Sequence, residues 1–194
     1  MSTVEVPYTA IHVYKNGLDG KGEDFVSIVE QMCSDEWSPL SWSLSYTGSG
    51  TVSEYRTSRS CELKGIRYPC QESEGATIFN RSILPSISKC LDDYTRVFQL
   101  QKEFEDEDYR LLRYEGHAEY RTHHDHAPEN SRIISIVAYP KIDGTGGNLD
   151  FPFLKTTITP ESNDVVIFPS NFPYAHTAFP MTEGVKYSLV TWLR

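Results

Sequence analysis

Apolar positions in the first half of the chain recur at helical spacing. In "GEDFVSIVEQMCSD", Phe25, Ile28, Val29 and Met32 fall at i, i+3, i+4 and i+7, the stripe of an amphipathic helix. "NRSILPSISKCLDDYTRVFQLQ" repeats the pattern with Ile83, Ile87, Leu91, Tyr94 and Phe98. A proline is tolerated in a helix only near its first turn, so Pro85 leaves the start of this second helix open. Between the two, "WSLSYTGSGTVSEYRTSRSCEL" is rich in Ser, Thr and Gly with scattered aromatics, which predicts strands and a mobile loop near residues 45–60.

From residue 132 the period shortens. "RIISIVAYP", "GNLDF", "KTTITP", "DVVIFP" and "KYSLVTWLR" are short β-branched or aromatic runs, parted by "KIDGTGG", "ESN", "SNFP" and "TEG", which carry turn chemistry. Strands that follow helices predict an α+β, mainly β fold, a small barrel or two-sheet jelly roll buttressed by N-terminal helices. With no internal repeat and no low-complexity linker, the expectation is one domain over residues 1–194. Its helical support lies mainly in 20–105 and its jelly-roll core mainly in 110–194. A barrel of this size has a mouth that holds one small ligand.

Composition narrows the function. A net charge of −9 argues against a nucleic-acid partner, which needs clustered Lys and Arg. The acidic run "KEFEDEDYR" (102–110) reads as a solvated helix end or turn. The apolar runs are too short to span a bilayer, and "MSTVEVPYTAIHVYKNG" has neither the basic start nor the apolar stretch of a signal peptide, so the expected setting is the cytoplasm, away from membranes. The four cysteines, at 33, 61, 70 and 90, form no C-x-x-C pair; reduced structural thiols are expected, with a Cys61–Cys70 bridge as the alternative.

The candidate chemistry sits in "EYRTHHDHAPENSR", just ahead of the first late strand. Residues two apart share a face of a strand, so His123 and Asp125 can grip one metal while His124 and His126 point away. A third ligand must come from elsewhere. His176, in "FPYAHTAFP" between two predicted strands, can reach them across a small barrel. Two imidazoles and one carboxylate leave three octahedral positions open, the facial triad of non-haem iron(II) oxygenases. Against this stands the ordinary reading that H-x-D tripeptides are common by chance.

Lys186 opens the last strand, where alternation sets Lys186, Ser188, Val190 and Trp192 on one face. Two readings stay open for it. Directed into an apolar barrel it needs an anionic partner, which a dicarboxylate could supply; at the strand's start it could equally sit at a solvated rim.

These residues belong to a wider match. "EYRTSRS" (54–60), "LRYEGHAEYRTHHD" (112–125), "GGNLDF" (146–151) and "VVIFPSNFPYAHTAFPMTEGVKYSLVTWL" resemble segments of the iron(II)- and 2-oxoglutarate-dependent dioxygenases, specifically the prolyl 4-hydroxylase branch. The resemblance implies iron(II) on His123, Asp125 and His176, and 2-oxoglutarate with its distal carboxylate on Lys186 and Tyr139. It implies Tyr114 beside the metal pocket, Arg56 and Trp192 on the substrate side, O2 as the oxidant and ascorbate as an accessory reductant. Tyr139 and Tyr114 could each serve only as core. The implied reaction is hydroxylation of an unactivated C–H, foremost a prolyl residue in a peptide or protein, with release of succinate and CO2. Related halogenases lack the carboxylate ligand, so Asp125 favours hydroxylation.

The chain departs from the branch at Asn148, where Glu is frequent, and at Asn163, where Gly is frequent. No tandem peptide-binding domain of the collagen-modifying enzymes accompanies the match, which sets collagen aside as the expected substrate. A free amino acid is the rival substrate, and a non-catalytic metal-binding jelly roll is the rival class.

Overall fold

The computed structural model describes residues 2–45, 54–69, 73–100, 103–128 and 131–194. Twelve strands are present among them. The N-terminal part supplies β1 (Ser2–Glu5), β2 (His12–Lys15), β3 (Ser43–Leu44) and β4 (Arg59–Glu62). The rest are β5 (Arg110–Glu115), β6 (Tyr120–His123), β7 (Ile134–Gly146), β8 (Leu149–Phe151), β9 (Thr156–Ile158), β10 (Val165–Pro169), β11 (His176–Ala178) and β12 (Met181–Leu193). They form a major sheet in the order β1-β2-β10-β7-β12-β5-β4-β3 and a minor sheet β6-β11-β8-β9, both antiparallel. This is the expected jelly roll, with helices on one side. Both halves of the chain build the major sheet, because the early strands extend each of its edges.

The central strands of the major sheet are buried on both faces, and period-2 alternation sorts their side chains. Ile134, Ile136 and Ala138 of β7, Val165 and Ile167 of β10, and Tyr187, Leu189 and Leu193 of β12 meet the helices. Their alternates Val137, Tyr139, Val166, Phe168, Val190 and Trp192 pack with Leu149 and Phe151 of the minor sheet. The helical layer comprises α1 (Gly22–Cys33), α2 (Lys64–Arg67), α3 (Glu74–Ile78) and α4 (Leu84–Val97). In α1 the buried stripe is Phe25, Val26 and Val29, with Ile28 and Met32 only half-buried, so the helix is turned slightly from the predicted stripe.

Two expectations need correction, and two open points close. The second helical run starts at Glu74, capped by Ser73, whose Oγ accepts from the Ala76 N–H at 3.1 Å. Pro85 lies in the first turn of α4, where a proline is tolerated, while the run ahead of it is already helical. A π-helical turn, Phe79–Ile83, loosens the ladder just ahead of the ring, which has no N–H to give. Next, "KIDGTGG" and "TEG" are not turns. They continue β7 and β12 as a twisted ribbon in which Gly144 faces Gly184, both with positive φ. A Cβ on either would fall within 2.0 Å of a backbone oxygen across the ribbon, Glu183 O or Asp143 O. The glycines permit close approach of two strands, a use that resembles turn chemistry in composition alone.

The described part of the acidic run is likewise neither a helix end nor a turn. It is an extended strap in which Glu105 and Glu107 bond the backbone of Arg194 and Trp192. Its acids pair with arginines from elsewhere: Asp106 and Asp108 with Arg67, Glu107 with Arg132, Glu105 with Arg194. Cys61 is a free thiol, in line with the reduced thiols expected, with Cys33 3.7 Å away; Cys70 lies outside the described residues, as does half of the loop expected near 45–60. No described helix is long and apolar enough to cross a membrane.

Candidate active site

Three donors converge where the minor sheet meets the loop after β6. His123 ends β6, His176 begins β11, and the two strands pair so that these histidines lie directly opposite. Their rings are 4.3 Å apart. Asp125 sits two residues past the strand, with Oδ1 3.5 Å from His123 Nε2 and Oδ2 3.7 Å from His176 Nε2. One donor atom from each of the three lies within 4.8 Å of the other two. Each imidazole also has a backbone partner on its far nitrogen: His123 Nδ1 meets Arg121 O at 2.8 Å and His176 Nδ1 meets Tyr174 O at 3.1 Å. A carbonyl can only accept, so both Nδ1 atoms carry hydrogen and both Nε2 lone pairs face Asp125.

The electrostatics suit a cation. Burial alone would raise the Asp125 carboxyl, but the neighbouring His176 and His123 and the hydrogen bond from Ser135 outweigh it and hold the group well below the usual carboxylate range. Burial, followed by the neighbouring His123, lowers His176 to about 4. At neutral pH the site therefore presents an ionised carboxylate and a neutral imidazole. No Lys or Arg among the described residues forms an ion pair with Asp125. A buried anion with two converging nitrogen lone pairs and no fixed counter-charge is a donor set that fits iron(II).

Lys186 faces the same pocket, which with its mouth encloses about 470 Å³. It is 1 % exposed, which decides between the two readings in favour of the interior. Its ammonium donates to Gly147 O at 2.5 Å and lies 4.6 Å above the Tyr114 ring and 6.0 Å from that of Tyr139. No carboxylate among the described residues reaches it. Burial pushes the ammonium down to about 7. Burial also raises both tyrosines, which remain protonated and can donate.

The structure brings the other sequence-derived positions to this pocket as well. Arg56 and Trp192 line it. The Arg56 guanidinium lies 4.7 Å over Tyr120, whose ring stacks on His123 at 3.4 Å. Trp192 is covered by the Arg132 guanidinium at 3.7 Å. His124, His126 and His117 are exposed, and His12 is buried among Tyr14, Tyr94 and Phe98, away from the metal donors. Two residues were not singled out from sequence. Tyr120, three positions before His123, backs the ligand ring; Ser135, at the start of β7, donates to Asp125 Oδ2 at 2.7 Å. The period-2 pattern could have flagged Ser135, a lone polar residue in the apolar run "IISIVAY".

Residues 109–194 match the family model of the 2OG-Fe(II) oxygenase superfamily, a span that holds His123, Asp125, His176 and Lys186 but not Arg56. A putative prolyl 4-hydroxylase of Acanthamoeba polyphaga mimivirus is 28% identical over 108 residues, covering 45% of each chain. The chain thus spans less than half the length of that curated relative. Three solved structures share the fold. A viral collagen prolyl hydroxylase from Paramecium bursaria Chlorella virus-1, in its 2OG complex, aligns over 96% of this chain and 97% of its own, with a TM-score of 0.67 and 18% identity. A Trichoplax adhaerens prolyl hydroxylase, solved with a peptide of the hypoxia-inducible factor oxygen degradation domain, gives 96%, 84%, 0.73 and 14%. A Pseudomonas putida prolyl-4-hydroxylase gives 96%, 93%, 0.69 and 17%.

Proposed function

We propose that the chain is a 2OG-Fe(II) oxygenase of the prolyl hydroxylase-like kind, as the match over residues 109–194 supports, and that it hydroxylates an unactivated C–H bond using iron(II), 2-oxoglutarate and O2. The substrate in this reading is a prolyl residue of a peptide or protein, and the co-products are succinate and CO2. The observation that carries it is the buried Lys186 ammonium, without a carboxylate partner among the described residues, sharing one pocket with the His123–Asp125–His176 donors. Such a charge is costly to bury and calls for an anion from outside the chain.

Iron(II) on the three donors, with 2-oxoglutarate, would supply the oxidising power for oxygen insertion. The rest is work for side chains. Lys186 holds the distal carboxylate of the co-substrate, with the protonated phenols of Tyr139 and Tyr114 as neighbouring donors. Leu112, Val137 and Val190 line the wall and exclude water. Arg56, Tyr120 and Trp192 complete the lining and orient the substrate. Ascorbate enters only as an accessory reductant. The collagen prolyl hydroxylase above matches this chain along nearly its whole length, which keeps collagen peptides among the substrates to test.

The test is anaerobic. Iron(II) and 2-oxoglutarate added to metal-free protein should produce the visible metal-to-ligand charge-transfer band of the chelate, and Lys186→Ala should weaken it. Iron binding with no band would leave a metal-binding jelly roll of another kind. A screen of proline-containing peptides, read by succinate release, then addresses the substrate.

A further inference from the structure

His123 and His176 are fixed by sheet register, but Asp125 lies beyond the end of β6, on the connection that runs to β7. Something other than a strand ladder must hold a buried carboxylate in place there. Its Oδ2 accepts a 2.7 Å hydrogen bond from Ser135 Oγ. Ser135 is fully buried and lies 2.8 Å, Oγ to Oγ, from Ser170, itself 1 % exposed. An ionised carboxylate can only accept. The Ser135 hydrogen is therefore committed to Asp125, and the Ser170 hydrogen must point to Ser135, giving a directed chain Ser170→Ser135→Asp125.

The backbone around the chain is tied as well. Ser170 N–H donates to Ile133 O at 2.9 Å, and Ser170 O accepts from His126 N–H at 3.0 Å, so the residue that ends the relay also pins the loop bearing Asp125. Arg132 reaches Asp125 O only at a long 3.4 Å, with its strong bonds spent on Glu107. Neither serine lines the pocket, so neither touches substrate or co-substrate.

We propose that Ser135, oriented by Ser170, is a positioning residue that occupies Asp125 Oδ2 and leaves Oδ1 as the single carboxylate ligand. A carboxylate free to rotate could chelate through both oxygens and take one of the positions that the co-substrate needs. This inference rests on the proposed metal site, and its test separates the two.

Cobalt(II) is titrated anaerobically into metal-free protein without 2-oxoglutarate, following the d–d absorption and the dissociation constant. Outer partners of metal ligands are worth about 10- to 100-fold in affinity. Ser135→Ala should weaken cobalt by that order and change the intensity of its band, while the melting temperature of the metal-free protein stays within a few degrees. Ser135→Thr, which keeps the hydroxyl, should restore both. Ser170→Ala should cost several-fold alone and nothing further in the Ser135→Ala background, because it acts through Ser135. Equal affinity and an unchanged band in Ser135→Ala, or additive serine effects, would overturn the relay and leave the site standing. If the parent protein binds no cobalt, the metal site and the relay fall together. Should Ser135→Thr not fold, the non-additivity of the two alanine variants still decides.

Discussion

Replacing Lys186 with methionine keeps an unbranched side chain of similar reach and removes the charge. In the fold the ammonium is pushed from its ordinary 10.5 down to about 7 by burial. At about 1.36 kcal/mol per pH unit, holding it charged in that place costs about 5 kcal/mol. Methionine relieves the cost and orphans one acceptor, Gly147 O, which takes back about 1–3 kcal/mol. The ligand-free Lys186→Met protein should thus be about 2–4 kcal/mol more stable than the parent at pH 6.5. The sign with pH follows from linkage. The unfolded lysine binds more protons than the folded one between about 7 and 10.5, so the parent gains stability as pH rises through that window. The advantage of the variant is therefore full below pH 7 and is mostly gone by pH 9.5. Urea unfolding of metal-free protein at the two pH values measures it, and a parallel titration should show loss of 2-oxoglutarate binding. A variant less stable than the parent at pH 6.5, or a difference that does not shrink with pH, would refute the picture of an unpaired buried ammonium.

Either His123→Ala or His176→Ala should reduce succinate formation to background; undiminished release in either would remove that residue from the metal site. Tyr120→Ala strips the ring stacked on His123, worth about 0.5–1.5 kcal/mol, and should weaken cobalt about 2- to 10-fold, whereas Tyr120→Phe should match the parent in the same titration. Arg67→Ala leaves Asp106 and Asp108 without their cation and should destabilise the fold by about 2–3 kcal/mol in urea, with 2-oxoglutarate affinity unchanged.

The late strands were legible because apolar alternation survives in short runs when both faces are buried. The same alternation put Lys186, Ser188, Val190 and Trp192 on the face that lines the pocket. It could not say whether Lys186 met solvent, since that depends on Gly147, brought over the ammonium by the connection between β7 and β8. His123 and Asp125 do converge, although Asp125 is off the strand and a serine relay, absent from any local pattern, holds it. The errors share one cause, which is tertiary partners overriding local chemistry. Glycines in "KIDGTGG" serve cross-strand approach, and the acidic strap is neutralised by arginines distant in sequence. β2 went unread because "HVYK" is too short to show a period, yet it is nearly all buried.

The cross-strand pairing of His123 with His176 has a bearing on biogenesis. β6 and β11 are only four and three residues long, and a slip of one position would turn Thr122 or Thr177 inward in place of a ligand. On the proposed iron site, metal uptake would then report on strand pairing: a chain zipped one position out would offer a threonine where a ligand belongs, and the metallated fraction of a preparation would fall with it.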